Sequence, residues 1–253
     1  MKKYGQVILI TALIFATAPV WAHSLWFNVD DRHTEVGKPV ILELGWGHKF
    51  PTDSEIKKGM LNQIFALGPD GQKIPLKPLS NTTFQWIPPQ PGVHTISATV
   101  HPGFLSKTSQ GYKMGPKNQF KQALSCFHYD LRGKTFVCAG KNTKVQIQAV
   151  GDPLEILPLE SPFGLKKGSE LAAQVLFKGK PLAEAKVHAT YAGFSDQPHT
   201  FAQTLHADVN GVARIKLAQK GEWFVSVTHE TPYPDKTECD THKYNATMTF
   251  RVE

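Results

Sequence analysis

His23 follows Ala22 at the point where an export peptidase is expected to cut, so it is expected to become the first residue of the processed chain. A terminal histidine offers two nitrogens from one residue, the α-amine and the ring, and both can close a chelate on one metal ion. The amine titrates near ~7.7, so a divalent metal displaces its proton at modest cost. One further histidine completes a three-nitrogen site suited to copper or nickel. The best placed is His48, within Gly45-Trp46-Gly47-His48-Lys49-Phe50-Pro51. Its glycines allow a tight turn, and Trp46 and Phe50 are suited to anchor the loop on a core. The plainer alternative for His48 is a turn residue bonded to backbone. Asp53 can add an oxygen or orient a ring, and His101, ahead of Pro102, is a loop-edge candidate. The expected metal ligands are therefore His23, His48, His101 and Asp53.

Other constellations are weaker. His128 alternates with Phe127 and Tyr129 and reads as one face of a strand, while His229 ends a strand opened by Trp223. Cys239-Asp240-Thr241-His242 has C-x-x-H spacing, but one such pair is half a zinc site, and a disulfide at Cys239 would remove it. The sequence has no G-x-S-x-G, H-E-x-x-H, phosphate loop or dinucleotide fingerprint, so no enzymatic activity is expected. Trp46, Trp86 and Trp223 could line a sugar-binding surface, although single large aromatics in sandwiches usually belong to the core.

The elements that must position these residues begin after residue 22. Lys2 and Lys3, the apolar stretch Val7 to Ala18 and the small-x-small end Val20-Trp21-Ala22 read as a cleaved signal peptide, which places the processed protein in the periplasm. Without Lys2 and Lys3, 26 Lys and Arg face 21 Asp and Glu, a scattered net charge of +5 that makes nucleic acid an improbable partner. Cys126, Cys138 and Cys239 predict one disulfide in an oxidising compartment, with all three pairings open.

Eighteen prolines and 20 glycines separate short Val-, Ile-, Thr- and Phe-rich segments. Several alternate apolar and polar residues, and turn signals such as Pro69-Asp70-Gly71 and Asp208-Val209-Asn210-Gly211 lie between them. This predicts an all-β protein of two tandem Ig-like or transthyretin-like sandwiches, over 23–150 and 163–253, joined by a proline-stiffened link over 151–162. Ser54 to Met60 is the one candidate helix. The Gly-, Lys-, Ser- and Gln-rich stretch from His101 to Gln122 reads as a long loop.

Ala22-His23-Ser24-Leu25-Trp26, the loop Gly45 to Pro51, Gly179-Lys180-Pro181-Leu182-Ala183 and the closing Tyr244-Asn245-Ala246-Thr247-Met248-Thr249-Phe250 together resemble the exported family called domain of unknown function 4198, which often carries a nickel-uptake label. The resemblance implies a periplasmic protein of Ig-like or transthyretin-like domains that serves divalent-metal uptake, and together with the terminal histidine this predicts a protein that holds nickel, cobalt or copper and passes it to a membrane metal transporter. His23 and His48 are the positions that match. With no multi-span region, the chain cannot itself be the permease. The competing expectations are a non-metal envelope module that holds a protein or glycan and, from another class, a copper-dependent oxidase built on the terminal histidine.

Overall fold

The computed structural model describes residues 23–141 and 147–253. The expected signal peptide lies outside the described residues. The rest is nearly all strand, arranged in one large sheet of eleven strands and two four-stranded sheets. The only helix among the described residues is a single turn at Lys117–Gln119. Ser54, expected to open a helix, instead bridges Trp46 in antiparallel fashion. Among the described residues no helix is long and apolar enough to cross a membrane.

Alternation along the long strand Ala123–Ala139 sets the plan. Its residues point by turns to opposite faces of the large sheet. Leu131 and Val137 join the core shared with Leu25, Phe27, Leu42, Leu44 and Ile96. Phe136 and Cys138 join the core shared with Leu154, Ile156, Leu171, Trp223 and Phe250. Each fully buried side chain of Leu or Phe size stabilises by roughly 1.5–3 kcal/mol, so one strand holds both cores together. The sheet of Ser24–Val29, Val40–Gly47, Thr83–Trp86 and Lys77–Pro78 contributes to the first core. The sheet of Leu154–Pro158, Glu170–Phe177, Lys180–Pro181 and Val212–Lys216 contributes to the second. Each half is an Ig-like β-sandwich.

The halves share the large sheet. Ala123–Ala139 pairs antiparallel with Gly92–Val100 and in parallel with Thr241–Val252, which in turn pairs with Gly221–Pro232. The stretch expected as a link over 151–162 contains the strand Leu154–Pro158, because Leu154 and Ile156 bury completely against the second core. Glu155, also in that stretch, is held by Lys134 at 2.6 Å with both side chains at most 3% exposed, and it accepts from the Val150 and Gly151 N–H groups. The long loop expected from His101 to Gln122 is largely a hairpin. Gly103–Thr108 pairs with Gly111–Met114 and with the start of the strand Ala123–Ala139, a pattern that its polar composition conceals.

The disulfide joins Cys126 to Cys239, tying the two parallel strands where their pairing begins. This removes the thiolate that a C-x-x-H metal site would need. Cys138 is buried in the second core.

Candidate functional site

The strand Ser24–Val29 pairs antiparallel with Val40–Gly47, and this register sets Ser24 opposite Gly47. His23 and His48, each one residue past that pair, therefore meet at one sheet end. Their ring centroids lie 4.2 Å apart, and the His23 ring also stacks on Trp46 at 5.1 Å with only 5° between the planes. Trp46 is buried, so it presents a fixed wall to the His23 ring.

Two glycines explain the loop. A Cβ on Gly45 would run into the Trp26 indole. Gly47 has φ +140°, and a Cβ there would collide with the Asp53 carboxylate. Space is needed at both because the loop folds back on itself. The His48 N–H donates to Asp53 Oδ2 at 2.6 Å, and the Pro51 carbonyl accepts from Trp26 Nε1 at 3.0 Å and from the Asn28 amide at 3.2 Å. The Phe50–Pro51 bond is cis. Asp53 thus holds the loop through the His48 backbone N–H. The His48 N–H, followed by that of Lys49, keeps its carboxyl below the usual carboxylate range.

The structure adds a residue that sequence reading missed. His199 packs its ring against His48 at 4.4 Å, and its N–H donates to the His48 carbonyl at 3.1 Å. It belongs to the other half of the molecule and takes a left-handed backbone (φ 56°) that costs a non-glycine residue about 1–2 kcal/mol. Strain of this size persists where surrounding contacts impose it, often at binding sites. The only sequence signal was a histidine after a proline in the polar run Ser195 to Thr200. His101 is not brought to this cluster by any ring contact. It lies exposed just beyond Gly92–Val100, with its N–H donating to the Met60 carbonyl.

All three clustered imidazoles titrate below the ordinary histidine value. Burial is the largest cause for each, reinforced by the neighbouring ring: His48 for His23, His199 for His48, and His23 for His199. Asp53 opposes the shift in all three. The rings are therefore neutral near pH 7 and carry lone pairs. His48 Nδ1 is buried without a hydrogen-bond partner, an expensive arrangement for a polar atom unless something else takes the lone pair or proton. Among the described residues, no three His, Cys, Asp or Glu side chains are already arranged to hold a metal ion. The histidine rings lie tilted and edge-on to one another, so bringing their donors to one point requires side-chain rotation.

A cavity of about 190 Å³ opens beside the cluster, lined by His48, His199, Trp26, Phe224, Thr228 and Asn245, among others. Trp26, Phe50 and Phe224 form a small apolar group apart from both cores and make its greasy wall. The remaining tryptophans considered for a sugar surface, Trp86 and Trp223, are buried.

Several solved structures share the strand-rich layout. The D0-D1 domain of intimin is 12% identical over 90% of this chain and 98% of its own, with a TM-score of 0.23. The D00-D0 domain of intimin is 15% identical over 91% and 99%, with a TM-score of 0.23. The Escherichia coli alpha-2-macroglobulin activated by porcine elastase is 9% identical over 92% of this chain and 20% of its own, at 0.23. Similarity this low carries no argument about function. No curated protein matches the chain. The sequence profile of one family does match, over residues 20–231, and by that match the chain belongs to the family described as domain of unknown function (DUF4198).

Proposed function

We propose that this is an exported, periplasmic binding protein for a first-row divalent metal ion, nickel, cobalt or copper, which it passes to a membrane transporter. The observation that carries the reading is the three-histidine cluster. His23, His48 and His199 come from three separate segments, His48 packs between the other two with ring centroids 4.2 Å from His23 and 4.4 Å from His199, and the buried Nδ1 of His48 is left unsatisfied. A purely structural histidine group would be expected to find partners for its buried nitrogens.

The donor set fits such an ion. Cleavage after Ala22 frees the His23 amine, so amine and ring chelate together while His48 and His199 supply further imidazoles. Imidazole nitrogens suit nickel, cobalt and copper, and at equal geometry they favour copper(II) over nickel(II). Selectivity for nickel would then come from geometry or supply. Because the rings are already neutral, binding displaces mainly the amine proton. Asp53 keeps the His48 loop in place and adds negative charge near the ion without coordinating it. His199 ties the second half of the molecule to the site, so an ion bound there would be felt in both sandwiches.

The test is native mass spectrometry and calorimetry on processed protein that begins at His23, with nickel, cobalt, copper and zinc. At this cluster one tightly held ion is expected, and that ion is lost on acetylating the His23 amine and in His48→Ala and His199→Ala. Undiminished binding in all of these would refute the proposal.

A further inference from the structure

The cysteine-proximal motif that lost its thiolate to the disulfide leaves His242 without the partner its spacing suggested, but the fold supplies another. In the parallel pairing of Ala123–Ala139 with Thr241–Val252, His128 stands directly opposite His242. Side chains at paired positions share a face of the sheet, and here the ring centroids are 4.5 Å apart with planes at 89°. The pair is well fixed. The Cys126–Cys239 bridge lies two residues before His128 and three before His242, and the Cys126 N–H donates to Asp240 Oδ2 at 2.8 Å. Phe104 and Tyr233 pack on the His128 ring at 4.7 and 5.5 Å. The Tyr244 hydroxyl hydrogen-bonds His242 Nδ1 at 3.0 Å and orients that ring.

Two nitrogens remain unused in this arrangement: His128 Nδ1 and His242 Nε2 are both buried with no hydrogen-bond partner. Two unsatisfied nitrogens stand here on adjacent, cross-linked strands, each at a cost on the order of 1–3 kcal/mol that a bound ion would offset. Both rings titrate below the ordinary value, chiefly through burial, so they offer lone pairs rather than charges. His242 and Tyr244 also line an open groove of about 540 Å³, together with Asp130 and Lys178, which gives an ion a route of approach.

We infer that His128 and His242 form a second metal site, separate from the His23 cluster, which takes a divalent transition ion through two cross-strand imidazoles and completes its coordination with water. Copper(II) is the expected occupant, because at a site of two neutral imidazoles it outcompetes the other first-row divalent ions. The disulfide supplies the rigidity that two ligands on a single strand would lack. The site uses no residue of the first cluster and does not depend on the reading given for it.

Copper(II) itself is the probe. The His23→Ala/His48→Ala/His199→Ala variant removes the first cluster, and in that background one copper(II) ion is expected by native mass spectrometry, with an electron-paramagnetic-resonance spectrum showing two coupled nitrogens. His128→Phe preserves the ring contacts with Phe104 and Tyr233, and His242→Gln is a second, smaller change. Each is expected to abolish that ion while circular dichroism stays unaltered. A background variant that binds no copper overturns the site, as does copper retained in both His128→Phe and His242→Gln. Were the unsubstituted protein to hold copper only at this pair, the first cluster's role would fail and this one would stand.

Discussion

Two regions where the halves of the molecule meet follow opposite rules. At one, charges meet. Lys134 and Glu155 pair at 2.6 Å in full burial, Arg32 and Glu222 pair at 2.6 Å, and the spare bonding capacity of Glu155 goes to the Val150 and Gly151 N–H groups. At the other, three imidazoles meet ring against ring, and the buried Nδ1 of His48 has no partner. A buried network with every group satisfied holds the structure together, whereas a cluster of neutral rings from three segments with an unused buried nitrogen has capacity left for a ligand.

The contrast can be broken most forcefully at the charged region. Lys134→Met leaves Glu155 buried without its cation, and unfolding in denaturant should show a loss of about 3–5 kcal/mol. The double variant Lys134→Met/Glu155→Leu should recover part of it, since it removes the orphaned charge but also the acceptor of the Val150 and Gly151 N–H groups. A single substitution with little effect would mean that the region is not structural. At the histidine end the expected damage falls on binding. His48→Ala should lower metal affinity about 100-fold, roughly 2.8 kcal/mol by calorimetry, while thermal stability without metal hardly changes. If His48→Ala unfolds the protein instead, both regions are structural and the comparison is lost.

Smaller effects sharpen it. Gly47→Ala forces a side chain onto the Asp53 carboxylate and into a strained backbone, and should cost about 1–2 kcal/mol of stability. It should also weaken metal binding more than a comparable change elsewhere, because Asp53 holds the His48 backbone. Metal affinity should fall by about tenfold per pH unit below ~7.7, as one amine proton must be displaced. The imidazoles titrate below their ordinary value. They therefore stay neutral through this window, and the fall should steepen only at a lower pH than free imidazole would give. Affinity measured in a pH series decides this, and a curve that steepens near pH 6.5 would show ordinary, unburied rings.

Much of this was legible in the residues, and the gaps have physical causes. Alternating apolar positions and glycine-proline punctuation foretold an all-β protein, and Gly45 to Pro51 advertised a constrained loop through its glycines and aromatics. His199 was invisible because its role depends on a contact between halves far apart in sequence. The Gly151 to Pro162 stretch looked like a link because its prolines and acids outweigh the two residues, Leu154 and Ile156, that make it a strand. The burial of Glu155 in that stretch could not be read from sequence, which does not show that Lys134 waits opposite. The cysteine pairing could not be chosen, because it rests on a parallel register that neither strand encodes alone.

The parallel seam has a consequence for how the molecule comes to exist. Thr241–Val252 is flanked in the large sheet by Gly221–Pro232 on one side and Ala123–Ala139 on the other, so its partners span more than a hundred residues of chain. Gly221–Pro232 precedes it closely, but Ala123–Ala139 lies roughly a hundred residues earlier, and such a distant pairing closes slowly. Until it arrives, Ala123–Ala139 presents an open edge on which another chain could dock. Trimming residues 241–252 should therefore yield not one intact sandwich and one broken one but an aggregation-prone chain.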